Sequence, residues 1–371
     1  MPKTILLAGG GTAGHVNPLL ATAAELGDRG HRVVALGTGQ GLEAELVPLA
    51  GVELRTIPKA ATPRRIGPGV LGFPGRLVGA TRAAGRILDD VRPDAVIGFG
   101  GYVSAPAYVA AHRRDIPIVV HEANARPGLA NRWGARWASR VAVQFPGTPL
   151  KGAEVAGFPL SKEVVELAAL RRKGKADDVR ARVRAALKWP DDAVAALIMG
   201  GSLGAARLNK AVAEAIPAIV GHGIHLLHLT GRGKDEVAER AFGDLPAKHR
   251  RQYVIREYEH NMGLAYAAVD AVVCRAGAGT VAEVGALGLP ALYVPLPIGN
   301  GEQSLNAAAS VEAGAATLIE DDQLTGAALT LRLEAMLLDE DTGRAMASAA
   351  RRIGIVDGAA RLADMIEEAA R

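Results

Sequence analysis

The sequence predicts an α/β protein built of two Rossmann-like, doubly wound parallel-sheet domains facing a cleft, and three observations carry that expectation. Short apolar runs such as Ile5-Leu6-Leu7-Ala8, Ala95-Val96-Ile97, Val194–Met199 and Ala271–Cys274 are the kind a parallel sheet buries on both faces. Each leads into a glycine-rich turn and then a helical pattern: Gly9–Gly14, Gly98–Ser104, Gly200–Ala206 and Arg275–Gly279. The second half therefore opens as the first does, which is the mark of paired halves. A length of 371 residues suits two domains of ordinary size. The boundary falls near Gly157-Phe158-Pro159, where the chain turns polar and charged, giving domains 1–158 and 159–371. The last helix is free to pack back on the first domain.

Composition excludes several classes. The one cysteine, Cys274, rules out a disulfide framework, and its place in a buried-strand run favours packing over nucleophilic chemistry. No apolar run approaches the ~20 residues of a membrane span, so a soluble or peripheral protein is expected. A net charge of +4 is too mild to imply nucleic acid, and sparse aromatics leave no stacking platform for a single strand.

In chain order, the first glycine loop precedes a helix that Asn17 is expected to cap, with Pro18 at its first position. Gly9, Gly11 and Gly14 match G-x-G-x-x-G, but the second strand, Arg32–Leu36, ends in Gly37-Thr38-Gly39 with no acid to hold a ribose. A nicotinamide cofactor is thereby disfavoured, and no cofactor is expected. His15, beside this loop, either lines the first helical turn or serves as a general base or anion contact.

The segment Lys59–Leu88 holds Lys59, Arg64, Arg65, Arg76, Arg82 and Arg86, no acid, and interleaved apolar residues such as Val70, Leu71, Phe73 and Leu77. Such a pattern suits docking on an anionic membrane surface, or a solvated loop that folds its apolar side chains inward, ahead of a helix from about Gly75. Ser104 is placed to cap the helix after the second glycine turn. The strand Ile118-Val119-Val120 then delivers His121-Glu122-Ala123-Asn124 to the same sheet edge, where an open parallel sheet binds ligands.

In the second half, His225 and His228 stand three apart on a strand, on opposite faces, which argues against a shared metal. Asp339-Glu340-Asp341, the one D-x-D, sits between two amphipathic patterns and reads as a helix junction, so no metal site is expected. Asp270–Asn306 reads as strand, glycine turn, helix, strand and polar loop. Thr280-Val281-Ala282-Glu283 has capping-box form, and a helix start at a sheet's carboxyl edge suits a diphosphate. Glu283 either closes that box or serves a ligand. Glu302, Gln303 and Asn306 make a sugar-hydroxyl kind of surface.

These loops together resemble the MurG family of glycosyltransferases, family 28, which move N-acetylglucosamine from UDP onto lipid-linked muramyl-pentapeptide. The likeness runs through Gly10–His15, Gly100–Ser104, His121–Asn124, Gly200–Ala205, Cys274–Gly277 with Thr280 and Glu283, and Gln303 with Asn306. It implies the two-domain glycosyltransferase B fold and an inverting, metal-free attack by the acceptor's 4-hydroxyl. UDP-N-acetylglucosamine would lie in the C-terminal half, with Ser202 and the run Ala278, Gly279, Thr280, Val281, Ala282 and Glu283 at diphosphate and ribose, Glu302, Gln303 and Asn306 at the sugar, and Arg275 among the substrate-binding residues. Thr12, Ala13, Gly14 and Asn124 would approach the donor, while the first two glycine loops receive the acceptor's pyrophosphate. His15 is the expected base, with Glu122 in reserve and Tyr102 positioning. Where the family has an arginine after the linker, this chain reads Phe158-Pro159-Leu160-Ser161, leaving Ser161 or Lys162 to replace that contact. Glu259 and Glu302 likewise depart from the family's usual residues while keeping their places near base and sugar. The implied location is the cytoplasmic face of the membrane, and the rival activity for the same fold is a UDP-N-acetylglucosamine 2-epimerase or another nucleotide-sugar-binding protein.

Overall fold

The computed structural model describes residues 1–60, 72–201, 206–297 and 301–371. The chain divides into two compact units, Met1–Ser161 with Asp357–Arg371, and Lys162–Val356. Each unit is a parallel sheet wrapped by helices, the two-domain α/β arrangement the sequence predicts.

In unit 1 the strands are β1 (Thr4–Ala8), β2 (Arg32–Gly37), β3 (Glu53–Thr56), β4 (Ala95–Gly98), β5 (Ile118–Glu122), β6 (Arg140–Val143) and β7 (Ala153–Val155). They pair in the order β3-β2-β1-β4-β5-β6-β7, and all pairs are parallel. Alternation along β1 sends Ile5 and Leu7 into the core on one face, Leu6 and Ala8 into the core on the other. The helices are α1 (Ala13–Asp28), α2 (Leu42–Leu49), α3 (Phe73–Val91), α4 (Gly101–His112) and α5 (Leu129–Gly134).

Several local expectations shift. Thr12, not Asn17, holds the N-cap position of α1, and Pro18 lies inside the helix. The carbonyl that Pro18 leaves without its usual amide is that of Gly14, exposed at the helix start where water reaches it. Ser104 lies within α4, whose N-cap position belongs to Gly100. The strands β3, β6 and β7 escape a reading based on apolar runs because they are short and carry Glu53, Arg55, Arg140 and Glu154.

Unit 2 has β8 (Ala195–Met199), β9 (His225–Leu229), β10 (Tyr253–Arg256), β11 (Ala271–Cys274), β12 (Ala291–Tyr293) and β13 (Ala316–Leu318). The order is β10-β9-β8-β11-β12-β13, again all parallel. Around it lie α6 (Lys162–Arg172), α7 (Asp177–Ala186), α8 (Ala206–Gly221), α9 (Glu236–Asp244), α10 (Met262–Ala267), α11 (Ala278–Leu287), α12 (Glu302–Glu312), α13 (Gly326–Leu337) and α14 (Glu340–Ile353). His228 is fully buried between the Tyr253 hydroxyl at 2.8 Å and Asn209 at 3.1 Å, and burial lowers its pKa to about 4. His225 packs edge-on to Trp189. Asp339 caps α14, accepting from the Asp341 and Thr342 amides at 3.1 and 3.3 Å. Both histidines thus pack within unit 2, and the D-x-D forms the helix junction that the sequence suggests.

The last helix, α15 (Gly358–Ala369), belongs to unit 1. Its Leu362, Ala363 and Ile366 share a core with Ile5 and Leu7, and Arg29, just after α1, binds Asp364 at 2.6 Å.

Strand order reverses between β1 and β4 in unit 1 and between β8 and β11 in unit 2. The crevice outside the carboxyl ends of such a strand pair is where doubly wound sheets bind ligands. The four glycine turns follow these four strands.

Candidate functional site

In unit 1 the loops after β1 and β4 pack against each other through glycine. Gly100 and Gly101 have φ of +97° and +74°, and a Cβ on Gly101 would lie 2.7 Å from the Gly10 carbonyl oxygen. The Ser104 hydroxyl fastens the second loop, accepting from the Gly100 amide at 3.0 Å and lying 3.0 Å from the Ala8 carbonyl.

Beneath the first loop sits a residue that sequence reasoning passed over. Glu43, fully buried at the start of α2, accepts from the Gly11 amide at 2.9 Å, the Thr38 hydroxyl at 2.7 Å and amide at 3.3 Å, and the Tyr102 hydroxyl at 3.4 Å. Its only sequence signal is an acid in a first helical turn after Gly39-Gln40-Gly41. Tyr102 lies across this cluster, with the Lys59 ammonium 5.3 Å from its ring centre.

His15 stands in the first turn of α1, half-buried. Its Nδ1 is 3.2 Å from the Gly10 carbonyl and 3.1 Å from the Thr12 hydroxyl. A carbonyl only accepts, so the ring proton is assigned to Nδ1, which leaves Nε2 with its lone pair. Burial lowers the His15 pKa, against the opposing pull of Glu122, the Gly10 carbonyl and Glu43. The ring is neutral at pH 7, the state a base requires.

Glu122 at the end of β5 is differently employed. One oxygen accepts from the Asn124 amide at 2.9 Å, and the other from the Gly128 amide at 2.9 Å and Asn131 Nδ2 at 3.0 Å. Its carboxylate holds the 123–131 loop, with both oxygens engaged in that task. Thr12 and Gly14 are exposed and Ala13 and Asn124 partly so, at the same sheet edge.

In unit 2, β11 delivers Arg275–Gly277 and then α11, whose N-cap position is taken by Gly277 and whose first residue is Ala278. The amides of a first helical turn have no partner within the helix, and its dipole is positive there. The helical ladder begins at Val281, whose amide donates to the Gly277 carbonyl at 2.9 Å. Of the expected run, Ala278, Gly279 and Thr280 therefore form the first turn, whose amides precede the helical ladder. Val281 is buried and Ala282 follows it inside the helix, so both stand behind that turn.

The capping-box expectation for Thr280 and Glu283 gives way here: with the N-cap at Gly277, three residues before Thr280, Glu283 lies inside the helix beyond its first turn. Its Oε2 accepts from the Tyr266 hydroxyl at 2.7 Å, and burial raises its pKa to about 7, partly offset by that bond. Tyr266, fully buried on α10, has no sequence signal that marks it as a partner of Glu283. Burial and Glu283 push its own pKa well up, so it keeps its proton and donates.

Gln303 and Asn306 both face the loops of this edge. Gln303 Oε1 accepts from the Leu296 amide at 2.9 Å, and Asn306 Nδ2 donates to the Ala276 carbonyl at 3.2 Å. Glu302 opens α12 behind Gly301, whose φ is +73°. Arg275 turns inward: its guanidinium meets the Val294 carbonyl at 3.1 Å and Asp321 at 2.6 Å. That buried ion pair ties the β11 loop to the segment after β13, and it turns the Arg275 guanidinium inward, away from the substrate contact expected of it. Glu259 shapes the turn after β10, bonded to Arg256 and to the Asn261 amide at 3.0 Å. Ser161 is exposed at the end of unit 1, and Ser202 lies outside the described residues.

The glycosyltransferase family 28 N-terminal domain matches residues 5–143, and the family 28 C-terminal domain matches 195–365. A relative from Paenarthrobacter aurescens is 44% identical over 99% of this chain and 96% of its own length. It is named UDP-N-acetylglucosamine--N-acetylmuramyl-(pentapeptide) pyrophosphoryl-undecaprenol N-acetylglucosamine transferase. The crystal structure of Acinetobacter baumannii MurG superposes with a TM-score of 0.78 at 29% identity, covering 99% of this chain and all of that one. A Neisseria meningitidis UDP-GlcNAc 2-epimerase bound to UDP-GlcNAc reaches 0.68 at 13% identity over 99% of this chain and all of its own, a likeness of fold alone. With both halves of the family matched in order along its length, the chain belongs to glycosyltransferase family 28.

Proposed function

We propose that the protein transfers N-acetylglucosamine from UDP-N-acetylglucosamine to the 4-hydroxyl of a lipid-linked N-acetylmuramyl-pentapeptide, with inversion. The observation that carries the reading is a glycine-led helix start at the carboxyl edge of unit 2's sheet, with Glu283 one turn in, inside a chain that matches both halves of the family. First-turn amides of α11 would take the departing diphosphate's charge, which a preorganised dipole stabilises without reorganisation. Glu283, as a carboxylate, would accept from both ribose hydroxyls, while Gln303, Glu302 and Asn306 serve the sugar. In unit 1, His15 Nε2 would take the acceptor's proton and the glycine loops would receive its pyrophosphate. Thr12, Ala13, Gly14 and Asn124 are assigned to substrate contact. No metal enters this assignment.

The same reading places the protein peripherally on an anionic membrane, at its cytoplasmic face. No described helix is long and apolar enough to cross a membrane. Support comes from α3, whose outer side carries Arg76, Arg82 and Arg86 around exposed Val78, while Ala80, Ala84 and Leu88 turn into the core. Residues 61–71 of the expected basic segment lie outside the described residues. Leu129, Trp133 and Trp137, exposed by 64%, 45% and 37% beside Arg132 and Arg136, add an aromatic and basic surface. Such rings suit the headgroup level of a bilayer.

The deciding assay measures UDP release from UDP-N-acetylglucosamine with and without lipid-linked muramyl-pentapeptide. Release only when the acceptor is present supports transfer. Formation of the manno epimer from the nucleotide sugar alone would assign the epimerase activity instead. Cosedimentation with anionic vesicles, weakening as salt rises, tests the membrane assignment.

A further inference from the structure

At the edge of unit 2's sheet opposite the start of α11, the structure opens a cavity of about 580 Å³. Val194, Asp270 and Pro290, which immediately precede β8, β11 and β12, form its floor. Those strands run three to five residues before reaching the donor edge, about 10 to 17 Å of chain. The cavity is therefore a separate place on the same sheet.

Its walls are rich in guanidinium. Asp270 is bound by Arg180 and, at 3.0 Å, by Arg184, and it also accepts from the Ala195 amide at 2.9 Å. Arg171 of α6 donates through Nη2 to the Val269 carbonyl at 3.3 Å, but its buried Nη1, like Arg180 Nε, has no partner among the described residues. Arg351 of α14 lines the same space.

Burial lowers the Arg171 pKa to about 10; Asp270 opposes this, and Arg180, Arg351 and Arg184 depress it further. Arg171, Arg180, Arg344 and Arg351 line the cavity, and the carboxylate at its floor, Asp270, is already engaged by Arg180, Arg184 and the Ala195 amide. Glu340 at the wall is bound to Arg344, and Asp177 and Asp192 are exposed at the rim. A buried cationic nitrogen without an acceptor is costly, and its usual remedy is a bound acceptor. Guanidinium forks match phosphate oxygens, and the volume falls in the range of small-molecule sites.

We propose that this cavity is a second ligand site, one that takes a phosphate-bearing small molecule between Arg171 and Arg351. It is independent of the donor site and of the activity assigned above.

The test is calorimetric titration of inorganic pyrophosphate into protein already saturated with UDP. Saturable binding is expected, weakened at least about tenfold in Arg171→Gln and in Arg351→Gln, the loss of one charge-assisted contact. UDP affinity should be the same in both variants and the wild type. If Arg171→Gln fails to fold by circular dichroism, the exposed Arg351→Gln decides alone. Absence of saturable binding, or pyrophosphate affinity unchanged in Arg351→Gln, overturns the proposal.

Discussion

Among single residues, Glu283 makes the sharpest demand. Its pKa in the folded protein is about 7, against 4.5 for the free side chain, because burial disfavours the charge. Folding therefore gains from its protonation: that contribution is complete below pH 4.5 and is lost as pH rises through about 7. UDP binding should run the other way, since two ribose hydroxyls need a carboxylate to accept both. Affinity for UDP is expected to strengthen from pH 6 to pH 8 with release of a proton, measured by calorimetry in buffers of different ionisation enthalpy. Because the Tyr266 hydroxyl lowers the Glu283 pKa, Tyr266→Phe should move that transition to higher pH. A transition that stays in place would detach Tyr266 from this role. For His15, the acidic limb of kcat/KM should lie below pH 6.5, since burial depresses its pKa. His15→Ala should reduce kcat by about 10²–10⁴ while leaving the circular dichroism spectrum intact. Glu283 and His15 were legible as candidates because each sits in a helix that follows a buried strand and a glycine turn. Glu43 and Tyr266 were not, because their importance arises from contacts with Gly11 and Glu283 that are 32 and 17 positions away.

The elements were easier to read than their ends. Strands buried on both faces declare themselves as apolar runs, which is why β1, β4, β8 and β11 stand out, and the helices between them follow from parallel pairing. Helix starts are another matter. Capping patterns suggested Asn17 and Thr280, yet in both cases the chain enters the helix within or next to a glycine turn, and tertiary packing overrides the local cap. The inward course of Arg275 was also hidden, since its partner Asp321 lies two strands later. Loop packing yields a prediction of its own. Gly101→Ala would place a side chain at φ +74° and 2.7 Å from the Gly10 carbonyl, so the two glycine loops must part. A lowered melting temperature and a raised KM for the lipid acceptor are expected, with the Kd for UDP unchanged. Glu43→Gln should also lower the melting temperature, by the equivalent of about 1–3 kcal/mol, because the amide cannot accept at both positions that the carboxylate serves.

At the scale of the whole molecule, six motifs in order along the chain pointed to the family, and the matches to both of its halves bear that out. No single loop held that information; the order did. The path of the chain has a further effect. Leu362, Met365 and Ile366 of α15 are buried in unit 1, each contributing about 1.5–3 kcal/mol by leaving water. Their sum rivals the ~5–15 kcal/mol net stability of a typical domain. Deleting 357–371 should therefore unfold unit 1, seen as loss of its thermal transition, while Leu362→Ala alone should cost about 2–5 kcal/mol. Domains usually mature in the order in which a ribosome delivers them. Here the first 161 residues must wait, unfinished, until Lys162–Val356 has been translated and the closing helix emerges. The later-born unit is expected to ripen first, and the nascent chain carries an incomplete apolar core through most of its synthesis, a period in which chaperone custody matters most.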